Sequence, residues 1–245
     1  MKPSTANSDE VAQFSRVADK WWDPNGDFRP LHDLNPTRIR YIKDQLSNYF
    51  DRDPQSIRPL EGLSLVDVGC GGGLLTEPMC RLGAEVTGID ASAETIDAAR
   101  HHAHALGLEI DYEHILPENL GTQIRHFDIV LNMEVIEHVD HRDLFLKTTA
   151  NLLRTGGAMF ISSLNRTLKS LLLAKFAAEY VLRWLPIGTH KWKNFVRPSE
   201  IANEIRPYGL TVRDITGISH NALDNEWHLS RDLEINYIMT LIKES

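Results

Sequence analysis

Cysteine is almost absent from the sequence: only two occur in 245 residues, and one of them, Cys70, lies inside a run of glycines. A stabilising disulfide is therefore not expected, and a reducing, cytosolic setting fits the usage. An excess of basic charge is also missing, since 26 Lys and Arg stand against 34 Asp and Glu, for a formal charge of −8 and a pI near 5.7. Binding nucleic acid by general electrostatics needs a basic face, so nucleic acid is excluded as a partner. No apolar run is long enough for a spanning helix, and Asp9, Glu10 and Asp19 interrupt residues 1–20, which argues against a secretory signal. Repeats and low-complexity tracts are lacking. What is present is 42% apolar residues, enough to bury the core of one larger α/β domain.

Val11, Phe14, Val17, Ala18, Trp21 and Trp22 recur at helical spacing and predict an amphipathic helix over 9–22. Asn35-Pro36 reads as a helix start, with Ile39, Ile42, Leu46 and Phe50 along one face and Arg38 in the first turns. From residue 63 strands and helices alternate: strands at 63–68, 85–89, 110–114, 127–132 and 158–162, with helices at 74–81, 93–106 and 140–153 between them. Two further strands, near 210–216 and 233–242, complete the pattern. The expectation is a doubly wound, mostly parallel α/β sheet of Rossmann-like kind. It divides into a helical cover at 1–58, a ligand-binding core at 60–165, a helical insertion at 166–197 and C-terminal strands at 198–245.

The run Val66-Asp67-Val68-Gly69-Cys70-Gly71-Gly72-Gly73 joins the first strand to its helix. Glycines there allow close approach of a ligand to the main chain. A dinucleotide fingerprint places its third glycine where Leu74 stands, and no phosphate-binding lysine follows. The spacing Gly-x-Gly-x-Gly behind the acid Asp67 suits a nucleoside cofactor with an amino acid end, whose ammonium a carboxylate can meet. Asp90, at the end of the next strand, is placed to accept hydrogen bonds from both ribose hydroxyls. Nicotinamide dinucleotide is the competing ligand.

Glu134, Glu137 and His138 follow the fourth strand and share a face if a helical turn begins there. Two readings stand level. The trio binds Mg²⁺, which together with His138 activates a weakly acidic hydroxyl, or Glu137 and His138 cap and orient the turn. His101, His102 and His104 read as a wetted surface, and His190 and His228 as walls of an acceptor pocket. Between Arg166 and Arg197 seven basic residues face the single acid Glu179. Lys175, Glu179 and Arg183 form one helical stripe opposite Leu171, Ala174, Val181 and Trp184, a pattern shared by a lid helix and by one lying on an anionic membrane surface.

Over residues 60–165 the sequence resembles the class I S-adenosylmethionine-dependent methyltransferases. More narrowly it resembles the bacterial ubiquinone-biosynthesis O-methyltransferases, through Trp21-Trp22-Asp23, Pro30-Leu31-His32, Asn35-Pro36-Thr37-Arg38, the glycine run, Met133-Glu134-Val135-Ile136-Glu137-His138, Ser163-Leu164-Asn165-Arg166 and Gly188-Thr189-His190. The resemblance implies S-adenosylmethionine as cofactor, contacted by Arg38, Gly69, Asp90 and Met133, with Gly71 shaping the turn. It also implies two O-methylations of a polyprenylated catechol-type ring. Such a substrate favours the membrane reading of 166–197, at the inner face of the cell membrane, and leaves room for an assembly of quinone-forming enzymes. Chemistry alone leaves Met133 equally suited to the core and Arg38 to solvent. The alternatives are a methyltransferase for another phenol or amine, and a non-catalytic binder of cofactor or membrane.

Overall fold

The computed structural model describes residues 4–121, 125–176, 192–221 and 224–244. Its strands are β1 (Ser64–Val68), β2 (Glu85–Asp90), β3 (Asp111–His114), β4 (Phe127–Met133), β5 (Leu153–Leu164), β6 (Leu210–Asn221), β7 (Glu226–Ser230) and β8 (Asn236–Lys243). They form one sheet in the order β3-β2-β1-β4-β5-β8-β6-β7. Pairings from β3 through β5 are parallel, and those among β5, β8, β6 and β7 are antiparallel. The chain leaves β1 toward β2 on one side and later returns to β4 on the other. The carboxyl ends of β1 and β4 therefore open the crevice in which ligands of such sheets bind.

Alternation along the central strands sends side chains to both faces. Val66, Val68 and Val130 join one buried cluster with Phe145 and Met159, while Leu65, Ile129 and Leu131 join the other with Ile42, Leu46 and Met79. Strands buried on both sides explain the near-continuous apolar runs. Helices α3 (Thr76–Arg81), α4 (Ala93–Ala105), α5 (Pro117–Leu120) and α6 (Arg142–Leu152) connect the parallel strands. After β5 come α7 (Leu168–Phe176) and α8 (Pro198–Glu204). Residues 177–191, which hold Glu179, Arg183 and His190, lie outside the described residues.

Two N-terminal expectations change. The helix expected over 9–22 is α1 (Ser8–Ser15), capped by the Asn7 side chain, followed by a short 3₁₀ turn at Ala18–Lys20. The next helix, α2, runs from Arg29 to Tyr49 and so begins before Asn35-Pro36, with Pro30 in its first turn and Pro36 inside it. The Asn-Pro signal misled because proline is tolerated wherever the helix has another anchor. Here Asn35 Nδ2 donates to the Leu74 carbonyl (3.2 Å) and Thr37 Oγ1 to that of Trp227 (2.7 Å). Arg38 is consequently not a solvated first-turn residue but a buried one, 4% exposed, in the third turn. Strand β7, unforeseen from the sequence, caps the sheet edge.

Candidate active site

A cavity of about 520 Å³ lies over the carboxyl ends of β1, β2 and β4. Its floor is the glycine turn. Gly69 (φ +70°) and Gly71 (φ +55°) occupy the left-handed region open to glycine. A side chain at Gly69 would run into Val135, 2.5 Å away, and one at Gly71 into the Trp21 ring, 2.4 Å away. Glycine is thus required at 71 by an indole of this chain. Asp90 accepts Gly71 N–H on Oδ2 (3.0 Å) and Ser92 N–H on Oδ1 (2.9 Å), one donor per oxygen, leaving lone pairs on both. Burial raises its pKa against backbone bonds from Ser92, Gly71 and Ala91. Asp67, 3% exposed, accepts from Thr76 Oγ1 (2.7 Å), and burial together with the charge of Asp90 pushes it up to about 7.

The opposite wall comes from α2 and the segment after β4. Arg38 forms an ion pair with Glu134, and its Nε has no acceptor. Glu134 sits at φ +57°, its N–H donating to Ser162 O (3.1 Å) and its Oε1 accepting from Ser162 Oγ (2.8 Å). Met133 is 8% exposed beside it and faces the same cavity. His138 lies at the far end with Nδ1 3.1 Å from Glu10 of α1 and Phe14 edge-on to its ring. Burial opposes charge on the imidazole, yet the Glu10 bond and the carboxylates of Glu137 and Glu134 prevail, and its pKa is raised.

Glu134, Glu137 and His138 do not converge as a metal site requires, and among the described residues no trio of His, Cys, Asp or Glu does. Only a three-residue 3₁₀ turn forms, Ile136–His138, and at three residues per turn adjacent side chains splay apart. Glu137 is turned inward, 2% exposed, accepting from Ser163 Oγ (3.0 Å) with Oε1 unpartnered. Burial, reinforced by Glu134, pushes it up to about 7. The arrangement expected for Mg²⁺ is therefore not assembled. His102 is not merely wetted: it meets the buried Glu77 (2.7 Å) and stacks on Trp22 at 3.5 Å. His228 pairs with Asp224 on the surface and does not line the cavity.

Sequence reasoning missed the roof of the cavity. Trp21 stacks on Phe28 at 3.9 Å and covers Gly71 and Gly72, while Trp22 Nε1 donates to Gly72 O (2.9 Å). The Trp-Trp-Asp segment carried the signal, but nothing local said what the rings cover. Glu10, one of two adjacent acids on α1, gave none.

Residues 66–161 match the family model for a methyltransferase domain. Ubiquinone biosynthesis O-methyltransferase of Sinorhizobium medicae is 52% identical over 236 residues, covering 96% of this chain and 95% of that protein. The protein of the same name in Pelagibacter ubique is 48% identical over 240 residues, 98% of this chain and 99% of its own. The chain belongs to the ubiquinone biosynthesis O-methyltransferase family. Among solved structures, magnesium protoporphyrin IX methyltransferase of Synechocystis with bound SAH shares the fold of this ubiquinone biosynthesis O-methyltransferase family member at TM-score 0.65 and 18% identity, over 97% of this chain and 96% of that one. An S-adenosylmethionine-dependent methyltransferase from Clostridium acetobutylicum aligns at TM-score 0.60 and 12% identity, covering 96% and 99%.

Proposed function

We propose that the chain transfers the methyl group of S-adenosylmethionine to a phenolic hydroxyl of polyprenylated catechol-type intermediates in ubiquinone biosynthesis. The observation that carries the reading is one continuous cavity joining a nucleoside-type floor, Asp90 and the glycine turn, to an imidazole wall at His138, in a chain half identical over its length to enzymes of that name.

The residues present fit the cofactor. Asp90 has a lone pair on each oxygen for ribose hydroxyls, the left-handed glycines bring bare main chain to the floor, and Arg38 keeps a buried donor without an acceptor. The cofactor supplies an electrophilic methyl on a positively charged sulfur. Met133 would pack its thioether against the nucleoside and Arg38 would meet the carboxylate. His138 takes the proton from the phenolic oxygen, with Glu10 on Nδ1 holding the ring's orientation. The apolar roof of Phe14, Trp21 and Phe28 excludes water and favours in-line alignment. No step is assigned to a metal ion on the trio at 134, 137 and 138, which is not gathered.

The insertion at 166–197 would rest on anionic lipid at the membrane's inner face. Supporting this are its seven basic residues and the exposure of Leu168 and Leu172, one helical turn apart on α7. None of the described helices is long and apolar enough to cross a membrane. The test of activity is isotope transfer from methyl-labelled cofactor to a short-chain polyprenyl catechol, set against unrelated phenols and amines. Label in the catechol alone is expected, and preferential labelling of an amine or unprenylated phenol would refute the substrate assignment.

A further inference from the structure

The Arg38–Glu134 ion pair stands in the cavity wall. Glu134 holds a left-handed backbone, φ +57°, which is unfavourable for a residue with a side chain and tends to persist where a site requires it. Ser162 fastens it twice, through its carbonyl to the Glu134 N–H and through its hydroxyl to Oε1. Oε1 thus serves Ser162 and Arg38 together, and among the described residues Oε2 carries no hydrogen bond. The side chain is 20% exposed, and it lines the cavity. Arg38, 4% exposed, presents the matching excess, a buried Nε donor with no acceptor. One wall therefore offers a spare acceptor of negative charge beside a spare donor of positive charge. The next residue, Val135, packs against Gly69, which places the pair beside the cofactor turn.

We propose that Glu134 takes the α-ammonium of the methyl donor while Arg38 takes its carboxylate, so that the pair reads the amino acid end as a zwitterion. This deepens the cofactor reading above and rests on it. An isolated carboxylate or ammonium brought into the cavity would confront a neutral ion pair and lose hydration without full compensation. A zwitterion lays opposite charges against both members, and four alternating charges result. Asp67, the other acid near the turn, is the weaker ammonium partner: its carboxyl accepts from Thr76, and burial raises its pKa to about 7, so the charged form is only partly present near neutrality.

Calorimetry with the demethylated product S-adenosylhomocysteine, and with analogues lacking its amino or its carboxyl group, tests the assignment without turnover. The unaltered protein is expected to bind the product about tenfold or more tightly than the amino-less analogue, as loss of a charged hydrogen bond implies. In Glu134→Gln that ratio should fall to about twofold, while discrimination against the carboxyl-less analogue is kept. Glu134→Gly, which relieves the left-handed backbone, should do the same and guards against a folding defect. A tenfold preference surviving in both variants, or absent from the unaltered protein, overturns the proposal. Failure of the product to bind the unaltered protein at all overturns the proposed function, and this assignment with it.

Discussion

Glu137 keeps a carboxyl group 2% exposed behind Ser163, and burial lifts its pKa from 4.5 to about 7. The unfolded chain releases this proton near 4.5 and the folded chain near 7, so between those values the native state holds more protons. Stability from this group is full below about 4.5 and is lost as pH rises to about 7, by up to roughly 3 kcal/mol. Glu137→Gln should remove that loss, and urea midpoints at pH 5 and pH 8 check it: the variant gains on the parent at the higher pH, and parallel behaviour would contradict the origin given. His138 moves in the same direction with a different consequence. Its pKa is raised above the ordinary 6.5, so as a base it becomes competent only as pH rises through that higher value. The alkaline-going limb of kcat/KM should lie above 6.5, and His138→Asn should lower kcat by about 10²-fold or more and abolish the limb. A limb unchanged in the variant would assign the titration elsewhere.

At the scale of elements, α1 and the tryptophan pair close the site from outside the sheet. Asn7 reaches Asp140 (2.6 Å), Ser15 reaches Glu94 (2.9 Å) and Thr5 N–H reaches Glu118 (2.9 Å), so α1 is fastened to segments following β2, β3 and β4. Beyond α1, the Trp21 ring makes a buried contact on Gly71 and Gly72. Gly71→Ala would bring a methyl group within 2.4 Å of that ring and also burden a φ of +55°. The expected outcome is a lifted cover: faster proteolysis within residues 4–28, altered tryptophan emission, and a destabilisation of about 1–3 kcal/mol. Unchanged cleavage and emission would show that the roof does not depend on this contact. Helix α2 makes the complementary point. Its amphipathic pattern was readable, but its start was not, because burial of Leu34, Asn35 and Thr37, with Asn35 bonded to the Leu74 carbonyl and Thr37 to that of Trp227 in β7, overrode the Asn-Pro signal.

For the whole molecule, a formal charge of −8 opposes approach to an anionic surface, so any attraction must be local to 166–197. Sedimentation with vesicles containing acidic lipid should pull the protein down at low salt and release it as salt rises, with little binding to neutral vesicles. Lys175→Glu together with Arg183→Glu should weaken the binding about thirtyfold or more, at about 1 kcal/mol for each basic charge lost. Equal recovery with neutral and acidic vesicles would refute the electrostatic account.

The sequence by itself determined the order of the parallel strands, the glycine floor, Asp90 at the end of β2 and the family, since each is written in local periodicity, in residues with few conformational substitutes, or in near-contiguous motifs. Only the tertiary structure decided what the titratable groups do. Glu134, Glu137 and His138 are neighbours in sequence, yet a left-handed residue and a 3₁₀ turn send them to three partners on three different elements: Arg38, Ser163 and Glu10. Charge state and ligand-binding capacity depend on burial and on partners up to 128 residues away, and no local pattern encodes either.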